Sequence, residues 1–334
     1  MAILLADGFE AGTPVNSGRW TSNGSTCAGS PGRYGWGAYA SISNPWPTLD
    51  LGSNLATTIV SLSTSISNWD GSNMLIDWYD TANTGNYQLR LNFSLVNQSI
   101  EVRTPSTSLA TYYLPVSDAR WYWFSVKATI HNTTGSVLVR LGTTNIINLT
   151  NVNTRGTTSN NYANRISIGN SAWGGCAVDD VIICDTSGSW FNDIMNEKVI
   201  RMYAPSADGT YVNWIPNTGS AYQCVDETGA HNSDTDYILS NGPSSMQTVA
   251  ITDATNADVI NAVMVNQVSR KTSVYDRGVK TILRSGTTNY EGTECILTTS
   301  YKPFQNIYYY DPYTTGLWSQ TTFNQIEAGV KLST

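Results

Sequence analysis

The stretch that decides the fold class runs from Trp121 to Thr150 and reads WYWFSVKATIHNTTGSVLVRLGTTNIINLT. It contains three runs in which apolar or aromatic residues alternate with polar ones. The runs are separated by the tetrapeptides NTTG (132–135) and GTTN (142–145). A period of two residues is typical of β-strands, and Asn and Gly are typical of tight turns. This stretch therefore predicts three consecutive strands joined by short turns.

The same alternation appears on both sides of that stretch. Turn residues interrupt it about every ten residues, which is the spacing expected of a β-sandwich. The further strands predicted in this half are 57–67, 73–80, 87–95, 99–104, 165–170 and 177–184.

A linker and a second strand-rich module follow. The segment DTSGSWFND (185–193) is the best boundary candidate because it is rich in Ser, Gly and Asp. We therefore predict an all-β chain with two antiparallel modules, 1–188 and 193–334, the second a sandwich or small barrel. One short helix is predicted within 317–332, capped by Ser319 and closed by Gly329. Strands are predicted at 198–205, 234–241, 246–253, 259–271, 273–286, 293–299 and 302–312.

Composition excludes several classes of protein. Charged residues make up 13% of the 334 residues, against roughly 25% in ordinary domains, and the formal net charge is −7. Such a chain has no general attraction for nucleic acid or for an anionic membrane. No stretch is apolar for the ~20 residues of a membrane-spanning helix, and MAILLADGFE lacks the features of a signal peptide. We expect synthesis in a cytoplasm without export by a signal peptide.

The five cysteines and two histidines do not predict a zinc site, because no Cys-x-x-Cys pair occurs. Cys176 and Cys184 either form a disulfide or are buried thiols, and the thiols are the better prediction. His131 and His231 fall in predicted turns and are interpreted as solvated loop residues.

Several ordered segments resemble a known family. They are DGFE (7–10), GT (12–13), RW (19–20), GRYGWGA (32–38), the stretch 121–142, NLTNVNTRGT (148–157) and VDDVII (178–183). Together they resemble the concanavalin A-like jelly-roll module of tailed-phage particle proteins. The later segments MYAPSADGTYVNWIPNTGSAYQCVDE (202–227), NSDTDYI (232–238) and IEAGVKL (326–332) resemble the module that follows it in such proteins. The resemblance implies a virion structural protein with a lectin-like fold.

The adjacent carboxylates Asp179 and Asp180 are the first candidate site. Neighbours on a strand face opposite sides of a sheet, so the pair is not expected to act on one substrate. The resemblance implies that this closing strand lies beside the opening one, which would bring Asp7 near. We interpret the three as hydrogen-bonded caps. The alternative is a calcium site completed by carbonyl oxygens, which would be the chain's only cofactor, and the third reading is catalysis.

Enzymatic motifs are absent from the sequence. Glucanases with this fold commonly carry Glu-x-Asp-x-x-Glu on one strand, and the chain has no such motif. Glu101 stands alone in its strand, and Asp77 and Asp80 are three residues apart, hence on opposite faces. No Gly-x-Ser-x-Gly elbow and no Gly-rich phosphate loop occurs. The sequence therefore predicts a protein that is not an enzyme, with no catalytic residue.

Aromatic residues are abundant, with 11 Trp, 19 Tyr and 6 Phe. Exposed rings suit sugar stacking or a protein interface, and the alternative for each is packing in a core. The binding-surface candidates are Trp20, Trp36, Trp46, Trp69, Tyr308, Tyr309 and Tyr310.

The predicted function is structural. We expect a protein displayed on the exterior of a tailed-phage particle, in the capsid decoration, collar or tail, that contacts other virion proteins and forms a homo-oligomer. The alternative is an adhesin of the tail that binds a host glycan. A glycan-degrading enzyme is the third hypothesis.

Overall fold

A computed structural model of the chain describes residues 3–10, 20, 28–30, 32–33, 38–40, 47–66, 72–80, 87–94, 98–114, 120–169, 176–227, 232–240, 242–255 and 259–333. The chain divides into two compact units, Met1–Arg201 and Met202–Thr334. Regular structure in the described residues is nearly all antiparallel strand, so the all-β prediction is confirmed.

The described part of the first unit contains fourteen strands. They are β1 (Ile3–Asp7), β2 (Ala28–Ser30), β3 (Ala38–Ala40), β4 (Thr48–Leu55), β5 (Thr57–Ile66), β6 (Ser72–Tyr79), β7 (Leu89–Ser94), β8 (Ser99–Arg103), β9 (Ser108–Tyr113), β10 (Trp121–Thr129), β11 (Gly135–Leu141), β12 (Thr144–Val152), β13 (Ala163–Ile168) and β14 (Cys176–Cys184).

These strands form two sheets. Sheet I has the order β12-β11-β10-β5-β14-β3-β2, and β1 also pairs with β14. Sheet II has the order β4-β13-β6-β7-β8-β9. The stretch 121–150 supplies β10, β11 and most of β12, which pair in sequence as predicted.

The two sheets share one hydrophobic core. Val60, Leu62 and Phe124 of sheet I belong to the same buried cluster as Trp78 and Leu91 of sheet II. The Trp78 indole also donates a hydrogen bond across the sandwich to the Thr58 hydroxyl, at 2.8 Å. Because each strand alternates, only one face of each sheet contributes to this core. The first unit is therefore a jelly-roll-like sandwich.

The other face of sheet I is covered by residues 193–200. The Met195 amide donates to the Ser125 hydroxyl at 2.9 Å, and the Trp123 indole donates to the Met195 carbonyl at 3.3 Å. Lys127 forms an ion pair with Asp193 at 2.9 Å. The segment after the predicted linker thus packs as part of the first unit, because it buries Met195 and satisfies hydroxyl and indole groups of the sheet.

The described part of the second unit contains ten strands and one α-helix. They are β15 (Pro205–Val212), β16 (Ile215–Pro216), β17 (Ile238–Leu239), β18 (Met246–Ile251), β19 (Val263–Ser269), β20 (Gly278–Ser285), β21 (Thr288–Glu291), β22 (Cys295–Ile296), β23 (Lys302–Tyr308), α1 (Gln320–Phe323) and β24 (Glu327–Leu332), with a 3-10 turn at Tyr222–Cys224. Sheet III has the order β15-β18-β24-β20-β21, with β22 also paired to β20. Two separate ribbons pair β16 with β17 and β19 with β23.

Two predictions for this unit are corrected. No strand begins at 198, because regular pairing starts at Pro205. The predicted helix is only four residues long, although Ser319 caps it through a reciprocal capping box with Thr322. Gly329 does not close it but lies within β24, where a Cβ atom would clash with the Gln247 backbone of β18. No helix in the described residues is long and apolar enough to span a membrane.

Candidate functional site

The Asp179-Asp180 pair lies at a β-bulge in β14. Asp179 is opposite Ser63 of β5, whereas Ile182 is already opposite Ser61, so β14 carries one extra residue here. Asp180 has a φ of 53°, in the left-handed region that Asp tolerates better than most residues. In a regular strand, Asp180 would face the core on the same side as Val178. Because of the extra residue, Val181 takes that place, and Val178 and Val181 both lie in the core.

Arg33 bonds both members of the pair. The Arg33 amide donates to Asp179 at 2.9 Å, and the Arg33 guanidinium reaches Asp180 at 3.4 Å. Arg33 also forms an ion pair with Glu197. One arginine therefore contacts both carboxylates.

Asp7 is near this pair, as the resemblance implied, because β1 pairs with β14 and Asp7 is opposite Val181. Asp7 accepts hydrogen bonds from the Phe9 amide at 2.9 Å and from the Trp20 indole at 3.0 Å. We use the name strand junction for the cluster of Asp7, Glu10, Arg33, Asp179 and Asp180.

Burial and like charge shift two acids of the strand junction. Burial, with the charges of Asp179, Asp180 and Asp7 adding to it, raises the pKa of Glu10 to about 9. Burial and the charge of Asp180 raise the pKa of Asp179 to about 7. The junction thus holds more carboxyl groups than Arg33 can compensate, so part of them is protonated near neutral pH.

The contacts of the junction favour a structural role for its aspartates. Each of the six carboxylate oxygens of Asp7, Asp179 and Asp180 accepts a hydrogen bond. Besides its bond from Arg33, Asp179 accepts from the Asp180 amide, and Asp180 accepts from the Ile200 amide. Among the described residues, no group of three or more His, Cys, Asp or Glu side chains is arranged to hold a metal ion. The calcium alternative gains no support from this geometry and stays a prediction.

A second candidate site, which the sequence analysis did not single out, lies on the face of sheet II that points away from the core. In register, one row of polar side chains crosses all six strands, and a second set flanks it. We call this surface the polar face. The row is Thr48, Ser167, Asp77, Arg90, Arg103 and Ser108, and the flanking residues are Asp50, Arg165, Tyr79, Asn92, Glu101 and Thr111.

The centre of the polar face is a rigid ion pair. Arg90 donates two hydrogen bonds of 2.6 Å to the two oxygens of Asp77, and the Tyr79 hydroxyl donates a third at 2.7 Å. The Tyr87 ring stacks under the guanidinium, 3.8 Å from its centroid. Asp77 is fully buried although it lies on the outward face. Bidentate pairing and stacking hold Arg90 in one orientation.

The rest of the polar face offers donors and acceptors without a strong nucleophile. Thr48 and Ser167 share a hydrogen bond of 2.7 Å, and Arg103 lies 3.6 Å from Glu101. With strands about 4.8 Å apart, a row across six strands is about 24 Å long. Such a surface suits an extended ligand rich in hydroxyl groups.

Proton transfer is poorly supported on this face. Burial and the neighbouring charge of Asp77 raise the pKa of Tyr79, so its hydroxyl stays protonated. Burial also raises the pKa of Asp77, but both of its oxygens are held by Arg90 and Tyr79. A general base needs a free lone pair near the substrate.

The aromatic candidates divide between core and surface. Trp20 takes the packing role, since it is 4% exposed and 6.4 Å from the Phe9 ring. Tyr308 and Tyr309 are half-buried, and the Tyr308 hydroxyl donates to the Tyr290 carbonyl at 3.1 Å. Tyr310 is exposed and stays a binding-surface candidate. Trp36, Trp46 and Trp69 lie outside the described residues.

The remaining sequence candidates are two cysteines and two histidines. Cys184 is a buried free thiol, and the Cys176 side chain lies outside the described residues. His131 accepts hydrogen bonds from the Thr133 and Thr134 amides and caps the β10–β11 turn. His231 also lies outside the described residues.

Alternation in the sequence marks the residues of the polar face but not their pairing. Polar residues recur at every second position in Asp77-Trp-Tyr79, Arg90-Leu-Asn92, Glu101-Val-Arg103 and Arg165-Ile-Ser167. The strands were predicted from this same period, but no register could be assigned, so the four pairs were not placed on one surface.

Comparison with known proteins gives likeness in architecture only. No protein-family model matches the sequence, and no curated protein matches it. Solved structures that resemble about half of this chain include the cellulose-induced protein Cip1, with 16% identity and a TM-score of 0.40 over 54% of this chain and 96% of that one. The carbohydrate-binding module CBM66 from Bacillus subtilis has 11% identity and a TM-score of 0.34, over 51% and 98% of the two chains. A carbohydrate esterase from the Shiga toxin-encoding bacteriophage phi24B has 11% identity and a TM-score of 0.39, over 55% and 97%. At these values the likeness gives no residue role and no activity for this chain.

Proposed function

We propose that this chain is a non-enzymatic binding protein on the exterior of a tailed-phage particle. Its first unit binds a host-surface glycan on the polar face, and its second unit contacts other virion proteins or further copies of the chain. The observation that carries the glycan proposal is the polar row that crosses all six strands of sheet II. The particle setting rests on the family resemblance.

The polar face has the properties that carbohydrate recognition needs. Sugars present many hydroxyl groups and are bound by fixed, convergent donors and acceptors. Arg90 is fixed by Asp77 and Tyr87, and the half-buried Thr48 hydroxyl is fixed by Ser167. These groups lie on strands rather than loops, so little entropy is lost when a ligand binds.

The absence of chemistry is also part of the proposal. The oxygens of Asp77 are committed to Arg90 and Tyr79, and Tyr79 resists ionisation. Purified protein incubated with oligosaccharides that it binds should release no reducing ends and no unsaturated sugars. Product formation that is abolished by Asp77→Asn would instead establish an enzyme.

Exposed apolar side chains support protein contacts by the second unit. Of the large apolar residues that are exposed in the described part of the chain, eleven lie after Arg201 and two before it. Val274 is 91% exposed and Val259 is 73% exposed. Such side chains are candidates for contact with a partner, although single exposed apolar residues are ordinary.

A glycan array with the full chain tests the binding proposal. The variant is Glu101→Gln with Arg103→Gln, which changes the half-exposed part of the polar face without touching the Asp77–Arg90 pair. The matched control is Arg140→Gln on sheet I, whose guanidinium bonds Asn145 at 3.0 Å. We expect glycan binding by the wild type and the control, and at least tenfold weaker binding by the variant. Failure of the folded wild type to bind any glycan would contradict the proposal.

Electron cryo-microscopy of intact particles tests the setting. Density for this chain on the capsid, collar or tail exterior is the expected result. Its absence from the particle would contradict the virion part of the proposal and leave the glycan part to the array.

A further inference from the structure

We infer that Arg165 makes the polar face selective for acidic glycans by binding a sugar-borne carboxylate. This inference rests on the proposed glycan function of that face and names the class of ligand.

Arg165 occupies a defined place on the polar face. It lies in β13, opposite Asp50 of β4 on one side and opposite Tyr79 of β6 on the other. Ser167, two residues along the same strand, belongs to the polar row. Arg165 therefore lies within the proposed binding surface, on the strand next to the one that carries Asp77 and Tyr79.

Arg165 differs from the other arginines of this face because it lacks a protein acceptor. Its Nε atom is shielded from solvent and has no hydrogen-bond partner among the described residues. Arg90 is paired with Asp77, and Arg103 lies beside Glu101. Asp50, the acid nearest in register, accepts instead from the Gly52 amide at 2.9 Å.

An Nε donor that is shielded from solvent and has no acceptor is unfavourable unless a ligand completes the contact. Arginine carries five N–H donors in a planar fork and keeps its charge at all physiological pH values. A shielded donor without an acceptor loses its hydration and gains nothing in return. A carboxylate matches the fork with two parallel hydrogen bonds and supplies the missing negative charge.

The surroundings indicate that the carboxylate belongs to a sugar. Hydroxyl groups of Thr48 and Ser167 lie along the row beside Arg165, and Tyr79 provides a ring. A sugar acid would place its carboxylate on Arg165 and its hydroxyl groups along the row. The net charge of the chain is −7, so general attraction cannot account for preference for an anion, and the preference must come from this position.

The test compares the binding of three oligosaccharides of equal length to the full chain by isothermal titration calorimetry. They are an oligouronate, its carboxyl-reduced neutral counterpart, and a sulfated form of that neutral counterpart. We expect the wild type to bind the oligouronate about tenfold to a hundredfold more tightly than the neutral counterpart, as one charge-assisted bidentate contact gives. Arg165→Gln should bind both equally, and Arg165→Lys should retain part of the preference because it keeps the charge without the fork. Arg120→Gln, at an exposed position outside the polar face, is the matched control and should behave as wild type.

Each outcome decides one of the two proposals. Equal wild-type affinity for the acidic and neutral sugars would overturn the Arg165 inference and keep the glycan function. Preference for the sulfated sugar over the uronate would overturn the carboxylate assignment. Binding of none of the three, together with a blank glycan array, would contradict the glycan function itself. An unchanged preference in a folded Arg165→Gln variant would also overturn the inference.

Discussion

The two units of this chain bury their apolar residues in different ways. In the described residues of the first unit, 28 buried residues belong to one core cluster between sheets I and II, and other buried apolar residues, such as Ile59, Trp123 and Met195, lie outside it. In the described part of the second unit, the clusters of buried residues are smaller, with seven and four members. Among the described residues, two large exposed apolar side chains lie in the first unit and eleven in the second.

Because their apolar residues are buried differently, we expect the two units to have different roles. A sandwich with one continuous core gains enough from apolar burial to tolerate buried polar groups, such as Asp77 and the strand junction. A unit whose core is split has less such gain and relies more on hydrogen bonds, ion pairs and partners. We therefore expect ligand specificity in the first unit and assembly contacts in the second.

The largest expected effect is the loss of a core indole. Trp78→Ala removes a fully buried side chain and its bond to Thr58 and should destabilise the first unit by about 5 kcal/mol, near the top of the usual range. Trp318→Ala, the matched change in the seven-residue cluster, should cost nearer ~3 kcal/mol, because a small cluster collapses more easily around the gap.

Urea unfolding with peptide-resolved hydrogen exchange measures each unit separately. A greater loss for Trp318→Ala than for Trp78→Ala would break the comparison between one continuous core and two small ones.

The next largest effect contrasts two ion pairs. Asp77→Asn leaves the guanidinium of Arg90 without its counter-charge in a largely buried place and should cost about 2–3 kcal/mol. Glu291→Gln removes the shared partner of Lys280 and Lys331 in the second unit and should cost less than ~1 kcal/mol, because that pair is partly solvated. Chemical denaturation of both variants gives the two values. Equal losses of stability would contradict the expectation that burial makes the Asp77–Arg90 pair more costly to break than a partly solvated pair.

Sequence alone predicted most strands but not where they meet. The period of two residues gave β5, β10, β11 and β14 within one or two residues of their ends. It could not give register, and so the polar face was missed although its residues were within predicted strands. Strong local alternation determines a strand, whereas a surface depends on pairing between distant segments.

Two local features could not be predicted from the sequence pattern. One is the extra residue at Asp180, because bulges have no reliable sequence pattern. The other is the end of the helix, which was predicted to close at Gly329, whereas residues 327–332 pair with β18 and β20 as a strand. Tertiary pairing outweighed a cap that stabilises only one turn.

The strand junction gives a pH dependence specific to the first unit. The pKa values of Glu10 and Asp179 are raised in the folded state to about 9 and about 7. A raised carboxyl pKa means that the folded state binds more protons than the unfolded state, so this contribution to stability is full below about pH 4 and is lost as pH rises through the folded values. We expect the free energy of unfolding to fall between pH 5 and pH 9, by at most ~1.4 kcal/mol per pH unit for each group.

Thermal melts of the wild type and of Glu10→Gln over pH 5–9 measure this dependence. The variant should lose the part of the slope above pH 7, where Asp179 is already ionised. A wild-type profile that rises with pH, or a variant with the full slope, would contradict the assignment to the junction.

The smallest effect tests how far the second unit depends on polar contacts. The hydroxyl of Ser319 accepts from the Thr322 amide at 3.1 Å and caps the single turn that places Phe323 in the seven-residue cluster. Ser319→Ala should cost about 0.5–1 kcal/mol, as lost caps do, and should speed amide exchange around that turn only. Ser187→Ala, at an exposed position in the first unit, is a matched change that should leave stability within ~0.5 kcal/mol. If Ser319→Ala instead unfolded the whole second unit, the small clusters would depend on this turn for their formation. Apolar burial alone would then not be enough to keep the second unit folded.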